Sequence, residues 1–151
     1  MQDRNEVMAG PAAVTPRPLG GRPWAVIRIV RIFAGRSDQV AEARDFVRRV
    51  LGPVPVLDEA VLLVSELCTN SLQHTASGLG GTFEVAVLPR RCSLRVEVRD
   101  QGSGHDPAPC PVDALSEDGR GLGLVELVAD HWGYSGNQQG RSVYFELSWE
   151  K

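Results

Sequence analysis

A chain of 151 residues with 42% hydrophobic and 23% charged side chains is long enough for one domain with a core, and its composition is that of a soluble globular protein. A net charge of -3 and a pI near 5.6 exclude a broad nucleic-acid footprint, which needs a basic surface. Cys68, Cys92 and Cys110 are odd in number and widely spaced, which fits neither a disulfide framework nor a zinc site, so they read as reduced thiols. No signal-peptide core or membrane-length apolar run is present, and the expected location is the cytosol, away from membranes.

Residues 1–23 carry Pro11, Pro16, Pro18 and Pro23 with Gly10, Gly20 and Gly21 and few large apolar side chains, a composition that predicts a flexible tail. Trp24 to Phe33 alternates as a strand with one wet face, toward a sheet edge. Ser37-Asp38 predicts an N-cap, and Val40, Ala43, Phe46, Val47, Val50 and Leu51 recur at helical spacing until Gly52-Pro53. A second helix is expected from Leu57 or Asp58 to His74, ended by Ser77-Gly78-Leu79-Gly80-Gly81. Phe83, Val85 and Val87, the turn Pro89-Arg90-Arg91, and Leu94, Val96 and Val98 predict a hairpin. Residues 101–120 hold Pro107, Pro109 and Pro111 among Gly, Ser and Asp, a long loop of the kind that is functional or disordered. A third helix is expected from Leu122 to near Trp132-Gly133. Tyr134-Ser135, a turn over Gly136 to Gly140, and a strand from Ser142 to Trp149 complete the sheet.

Three places carry chemistry. In the second helix Glu66, Asn70 and His74 fall at i, i+4 and i+8, a polar stripe on an otherwise apolar helix that must find partners in side chains, water, or a metal and a ligand. By period two, Asp100 points to the face of Val96 and Val98, where a carboxylate is either paired or waiting for a ligand. An acceptor held in an apolar wall suits the exocyclic amine of adenine, and Gly102 and Gly104 let the backbone approach a ring closely. Gly119, Gly121 and Gly123, around Arg120 and Leu122, can form an anion-binding turn at a helix N-terminus. A dinucleotide fingerprint fails because Leu124 stands where its third glycine would fall and a proline-rich loop precedes it. A Walker A loop is excluded by the absence of Gly-Lys-Ser/Thr.

Glu66-x-x-x-Asn70, then Asp100-x-Gly102-x-Gly104, then Gly119-x-Gly121-Leu122-Gly123 resembles the N, G1 and G2 boxes of the GHKL superfamily of histidine kinase-like ATPases, over roughly residues 24–149. The free-standing form is most similar to the bacterial anti-sigma factor serine kinases. The resemblance implies an α+β fold, a two-layer sandwich with a mixed, mostly antiparallel sheet and helices on one face, occupying residues 24–151 as one ATP-binding domain. It implies ATP and Mg²⁺ as cofactors, Asp100 on the adenine amine with Gly102 and Gly104 as its turn, and Gly119, Arg120, Gly121, Leu122 and Gly123 at the phosphates beneath a lid. It further implies Asn70 as Mg²⁺ ligand and Glu66 as general base. The implied partners are a sigma factor, which is sequestered, and an anti-anti-sigma antagonist, which is phosphorylated on serine, with the protein itself a homodimer. The alternative expectation is a nucleotide-gated protein-binding module with little or no turnover, which needs Asp100 and the glycines but not Glu66.

Overall fold

The computed structural model describes residues 27–74, 76–102, 120–137 and 140–150. The proposed tail, the start of the first strand at Trp24 and the segment 103–119, with Gly104 and Gly119, lie outside them. No helix among the described residues is long and apolar enough to cross a membrane.

Strand β1 (Ile29–Ala34) leads to helix α1 (Asp38–Leu51) and helix α2 (Leu57–His74), followed by a 3₁₀ turn over Ala76–Gly78. The hairpin β2 (Thr82–Pro89) and β3 (Ser93–Asp100) comes next, then helix α3 (Arg120–Val128) and a second hairpin of β4 (His131–Asn137) and β5 (Gly140–Ser148). The five strands form one sheet in the order β1-β2-β3-β5-β4, with each described neighbour pair antiparallel. This is the expected α+β sandwich: helices cover one face, and the core lies between the two layers.

Register explains which residues enter that core. Phe33 sits opposite Phe83, Val85 opposite Val98, Val87 opposite Val96, and Val96 opposite Phe145, so alternate residues of successive strands stack on the helical face. Ala60, Leu63, Val64, Leu67 and Cys68 of α2 and Val125 of α3 are buried against them. Phe33 stacks on Phe83 at 5.3 Å and meets Phe46 of α1 edge-on at 5.9 Å, locking the first helix to the sheet edge. Each such pair contributes about 0.5–1.5 kcal/mol beyond its buried area. Burial pushes the Cys68 thiol far above its ordinary range, so it stays protonated as a small core hydrophobe.

The opposite face of the sheet is charged. Arg28 reaches Glu84 at 2.9 Å and Glu97 at 3.5 Å, and Arg95 reaches Glu97 at 3.0 Å and Glu146 at 3.4 Å while lying 3.6 Å above the Tyr144 ring. The Arg95 Nε contact with Glu97 is an ion contact without hydrogen-bond alignment.

Several boundaries differ from the sequence expectation. Ser37 is already helical, with φ -60° and ψ -32°, and makes no capping bond; the turn before α1 is held instead by Arg36, whose guanidinium donates to Asp38 at 3.1 Å and holds that carboxyl below its usual range. Helix α3 ends at Val128, not near Trp132, because Asp130 turns the chain onto the sheet: its carboxylate accepts from Ser148 N–H at 2.7 Å and from the Ser148 hydroxyl at 2.6 Å. Trp132 and Gly133 therefore belong to β4. Strand β1 begins at Ile29.

The return from β1 passes so close to the 3₁₀ turn that Gly35 admits no side chain. A Cβ there would fall 1.6 Å from the Ser77 carbonyl oxygen, while Gly35 N–H donates to Gly81 O at 2.8 Å. Gly35→Ala must separate two backbone segments and is expected to cost about 3 kcal/mol, read as a lowered denaturant midpoint at unchanged slope.

Candidate functional site

The end of β3 is anchored beneath the C-terminal end of α2. Ser77, fully buried in the 3₁₀ turn, accepts a hydrogen bond from Gln101 N–H at 3.0 Å, and Gln101 Oε1 accepts from Thr82 N–H at 3.0 Å. These bonds fix where Asp100 stands. As its phase requires, Asp100 lies on the helical face in line with Leu94, Val96 and Val98, with 7% of its surface exposed. Its Oδ1 accepts from Gly102 N–H at 2.8 Å, a turn that needs the left-handed φ of 72° glycine supplies there.

Asp100 Oδ2 accepts no hydrogen bond among the described residues. The nearest cation is Arg141, directly opposite on β5, whose Nε lies 3.9 Å from Oδ1, beyond hydrogen-bond reach. A buried carboxylate with one oxygen fixed by a backbone amide and the other unused is a rigid acceptor facing a donor that must come from elsewhere.

Glu66 and Asn70 sit one turn apart on α2, both half-buried, and neither side chain makes a hydrogen bond or ion pair among the described residues. Their neighbours behave differently. Thr69 Oγ1 donates to Ser65 O at 2.8 Å, Ser71 Oγ donates to Leu67 O at 3.1 Å, and Arg44 of α1 donates to Ser65 Oγ at 3.4 Å. The unpartnered acid and amide supply hard oxygen donors of the kind that suits Mg²⁺ or a reacting hydroxyl. His74 closes the same helix.

Helix α3 opens at Arg120, two residues earlier than expected, so Arg120, Gly121, Leu122 and Gly123 form its first turn, where backbone N–H groups lack intrahelical acceptors. Leu122 packs against the core. Gly123 is exposed, and a Cβ on it would meet nothing within 4 Å. Packing therefore does not require glycine at a position where it weakens a helix by about 1 kcal/mol, whereas close approach of a ligand to the helix backbone would. Three supports of the site were not singled out from the sequence: Arg141, Ser77 and Gln101. Each acts through a partner distant in the chain, and no local pattern marks it.

The described residues hold no cluster of His, Cys, Asp and Glu that would ligate a metal by itself. An ion held through Asn70 would need its remaining ligands from water and phosphate, the usual condition of Mg²⁺ beside a nucleotide.

Comparison with known proteins bears on the fold as a whole. The histidine kinase-like ATPase domain matches residues 33–147, which takes in every described strand and helix except the start of β1 and the last residue of β5. An uncharacterized protein of Streptomyces coelicolor is 32% identical over 88 residues, covering 58% of this chain and 83% of that protein. A domain of this kind implies ATP binding, and α2 packs against both β3 and α3 here. The chain belongs to the histidine kinase-like ATPase family of the GHKL type.

Proposed function

We propose that the protein is an ATP- and Mg²⁺-dependent serine kinase of the anti-sigma type, which sequesters a sigma factor and phosphorylates a serine on an anti-anti-sigma antagonist, working in the cytosol as a homodimer. The observation that carries this reading is the pair Glu66 and Asn70, a half-buried acid and amide one turn apart and without partners among the described residues. Such groups are costly unless something satisfies them, and a metal-bound triphosphate with an incoming hydroxyl does so.

In this reading Asp100 Oδ2 accepts from the adenine amine, and the Gly102 turn leaves room for the ring, a role assigned to Gly104 as well. The amides of the first turn of α3, with Gly119 before it, receive the phosphates, and Arg120 is assigned to the same phosphate role. Asn70 offers its amide oxygen to Mg²⁺, which when bound offsets charge on the phosphate oxygens. Glu66 accepts the proton of the substrate serine as its oxygen attacks the γ-phosphorus and ADP leaves.

Calorimetric titration with ATP, with and without Mg²⁺, tests the nucleotide half; saturable, Mg²⁺-dependent binding is expected, and its absence would remove the reading. The kinase half is tested by capturing partners in the presence of ADP and measuring their intact masses after ATP and Mg²⁺ are added. A serine phosphorylation on a small partner is the expected result. Nucleotide binding with no phosphorylated partner would leave a nucleotide-gated binding module instead.

A further inference from the structure

Arg141 is the residue that the β3–β5 ladder sets opposite Asp100, so both side chains stand on the helical face of the sheet. On its other side β4 contributes Gly136, where an added Cβ would fall 2.7 Å from Arg141 Cα. Strand β4 therefore places no side chain beside the guanidinium, and Asp100 is its charged neighbour. The contact is an ion pair and not a hydrogen bond. Arg141 Nε lies 3.9 Å from Oδ1, the oxygen that already accepts from Gly102 N–H at 2.8 Å. Arg141 is exposed while Asp100 is buried, and the guanidinium donates no hydrogen bond among the described residues.

The two groups thus balance each other's charge without consuming each other's hydrogen-bonding capacity. Asp100 keeps Oδ2 as an open acceptor, and a guanidinium can only donate. Because the pair is already neutral, its natural ligand here is a neutral group, and an added anion would compete with the carboxylate for Arg141. An acceptor beside a donor is the complement of a ring edge that carries a donor beside an acceptor. Adenine has such an edge on either side of its amine, where a ring nitrogen, N1 or N7, offers a lone pair next to the exocyclic N–H. A planar fork suits that flat edge better than a point charge on a flexible stem would.

We propose that Arg141 is a specificity-determining residue of the nucleotide site, donating from its guanidinium to the ring nitrogen beside the amine that Asp100 Oδ2 accepts from. The inference rests on the assignment of Asp100 to the adenine amine and requires nothing of the kinase step. It makes recognition of the base a two-point contact, with one strand supplying the acceptor and its ladder partner the donor.

The test is a calorimetric titration of the full chain, with Mg²⁺, against ATP, 1-deaza-ATP and 7-deaza-ATP, each analogue having one ring nitrogen replaced by C–H. The native protein is expected to bind one of the two analogues about tenfold more weakly than ATP. Arg141→Ala should bind ATP about tenfold more weakly than the native protein and should no longer separate that analogue from ATP. Which analogue is discriminated identifies the edge that Arg141 reads. Arg141→Lys keeps the charge beside Asp100 and should recover part of both the affinity and the discrimination, so the test survives if the alanine variant folds poorly. A residue that merely supported Asp100 would, when removed, weaken all three nucleotides by the same factor. That result would overturn the contact, as would native binding of both analogues as tight as that of ATP, and either outcome would leave the assignment of Asp100 standing. Absence of ATP binding by the native protein would instead remove the nucleotide reading and the Arg141 contact together.

Discussion

Asp100→Ala is expected to weaken ATP binding about a hundredfold while leaving the domain folded, since a hydrogen bond to a buried charged acceptor is worth about 1.5–3 kcal/mol. The cause lies in the division of labour between the two carboxylate oxygens, one tied to Gly102 N–H at 2.8 Å and the other unused by the described residues. Asp100→Asn separates position from chemistry. Its carbonyl oxygen can still receive the Gly102 amide, and its NH₂ would then oppose the adenine amine, donor against donor. Asparagine should therefore bind ATP nearly as poorly as alanine, with thermal stability closer to the native protein. Calorimetry paired with a thermal melt reads both quantities, and an Asn variant with native affinity would remove Asp100 from the adenine site.

The second large effect concerns turnover rather than binding. Glu66→Gln keeps the size and polarity of the side chain but removes its capacity to take a proton. On the kinase function proposed above, phosphoryl transfer to the proposed antagonist should fall by about 10²–10⁴-fold, the usual range for general-base loss, with ATP affinity changed by less than about threefold. Asn70→Ala should behave differently, losing the Mg²⁺ dependence of ATP binding together with activity. Neither side chain has a partner among the described residues to leave stranded, so both variants are expected to fold. Single-turnover transfer at saturating ATP separates the two, and full transfer by Glu66→Gln would assign the proton to another group.

The elements that carry the candidate residues can be read from the sequence because they are local. The run from Leu57 to His74 contains no proline or glycine, so the helix and the placement of Glu66 and Asn70 on it follow from period alone. The two-residue period of Leu94, Val96 and Val98 carries Asp100 onto the covered face without knowledge of what covers it. What could not be read depends on contacts across the fold. Nothing near residue 141 announces that Arg141 will face Asp100, because that pairing is set by the register of β3 against β5. The end of α3 is not legible locally because Ala129 to Trp132 looks compatible with a helix, whereas Asp130 is captured by Ser148 of a strand formed later in the chain. Ser37 has the chemistry of an N-cap, yet the neighbouring Arg36 and Asp38 pair with each other and the chain enters the helix a residue early. The requirement for Gly35 exists only because the 3₁₀ turn after α2 packs against it.

The strand order described above also sets the pace at which the domain can fold. β2–β3 and β4–β5 are hairpins between chain neighbours, but β3–β5 pairing must wait for residues on either side of α3, and β1–β2 for residues on either side of both α1 and α2. Closing those longer loops costs chain entropy before any contact is gained. The two hairpins are thus expected to appear as early, separately protected units, and the β3–β5 seam at the centre of the sheet to close late. Pulse-labelled hydrogen exchange during refolding would show hairpin amides protected ahead of those in the seam, and simultaneous protection of both would mean that the sheet assembles in a single step.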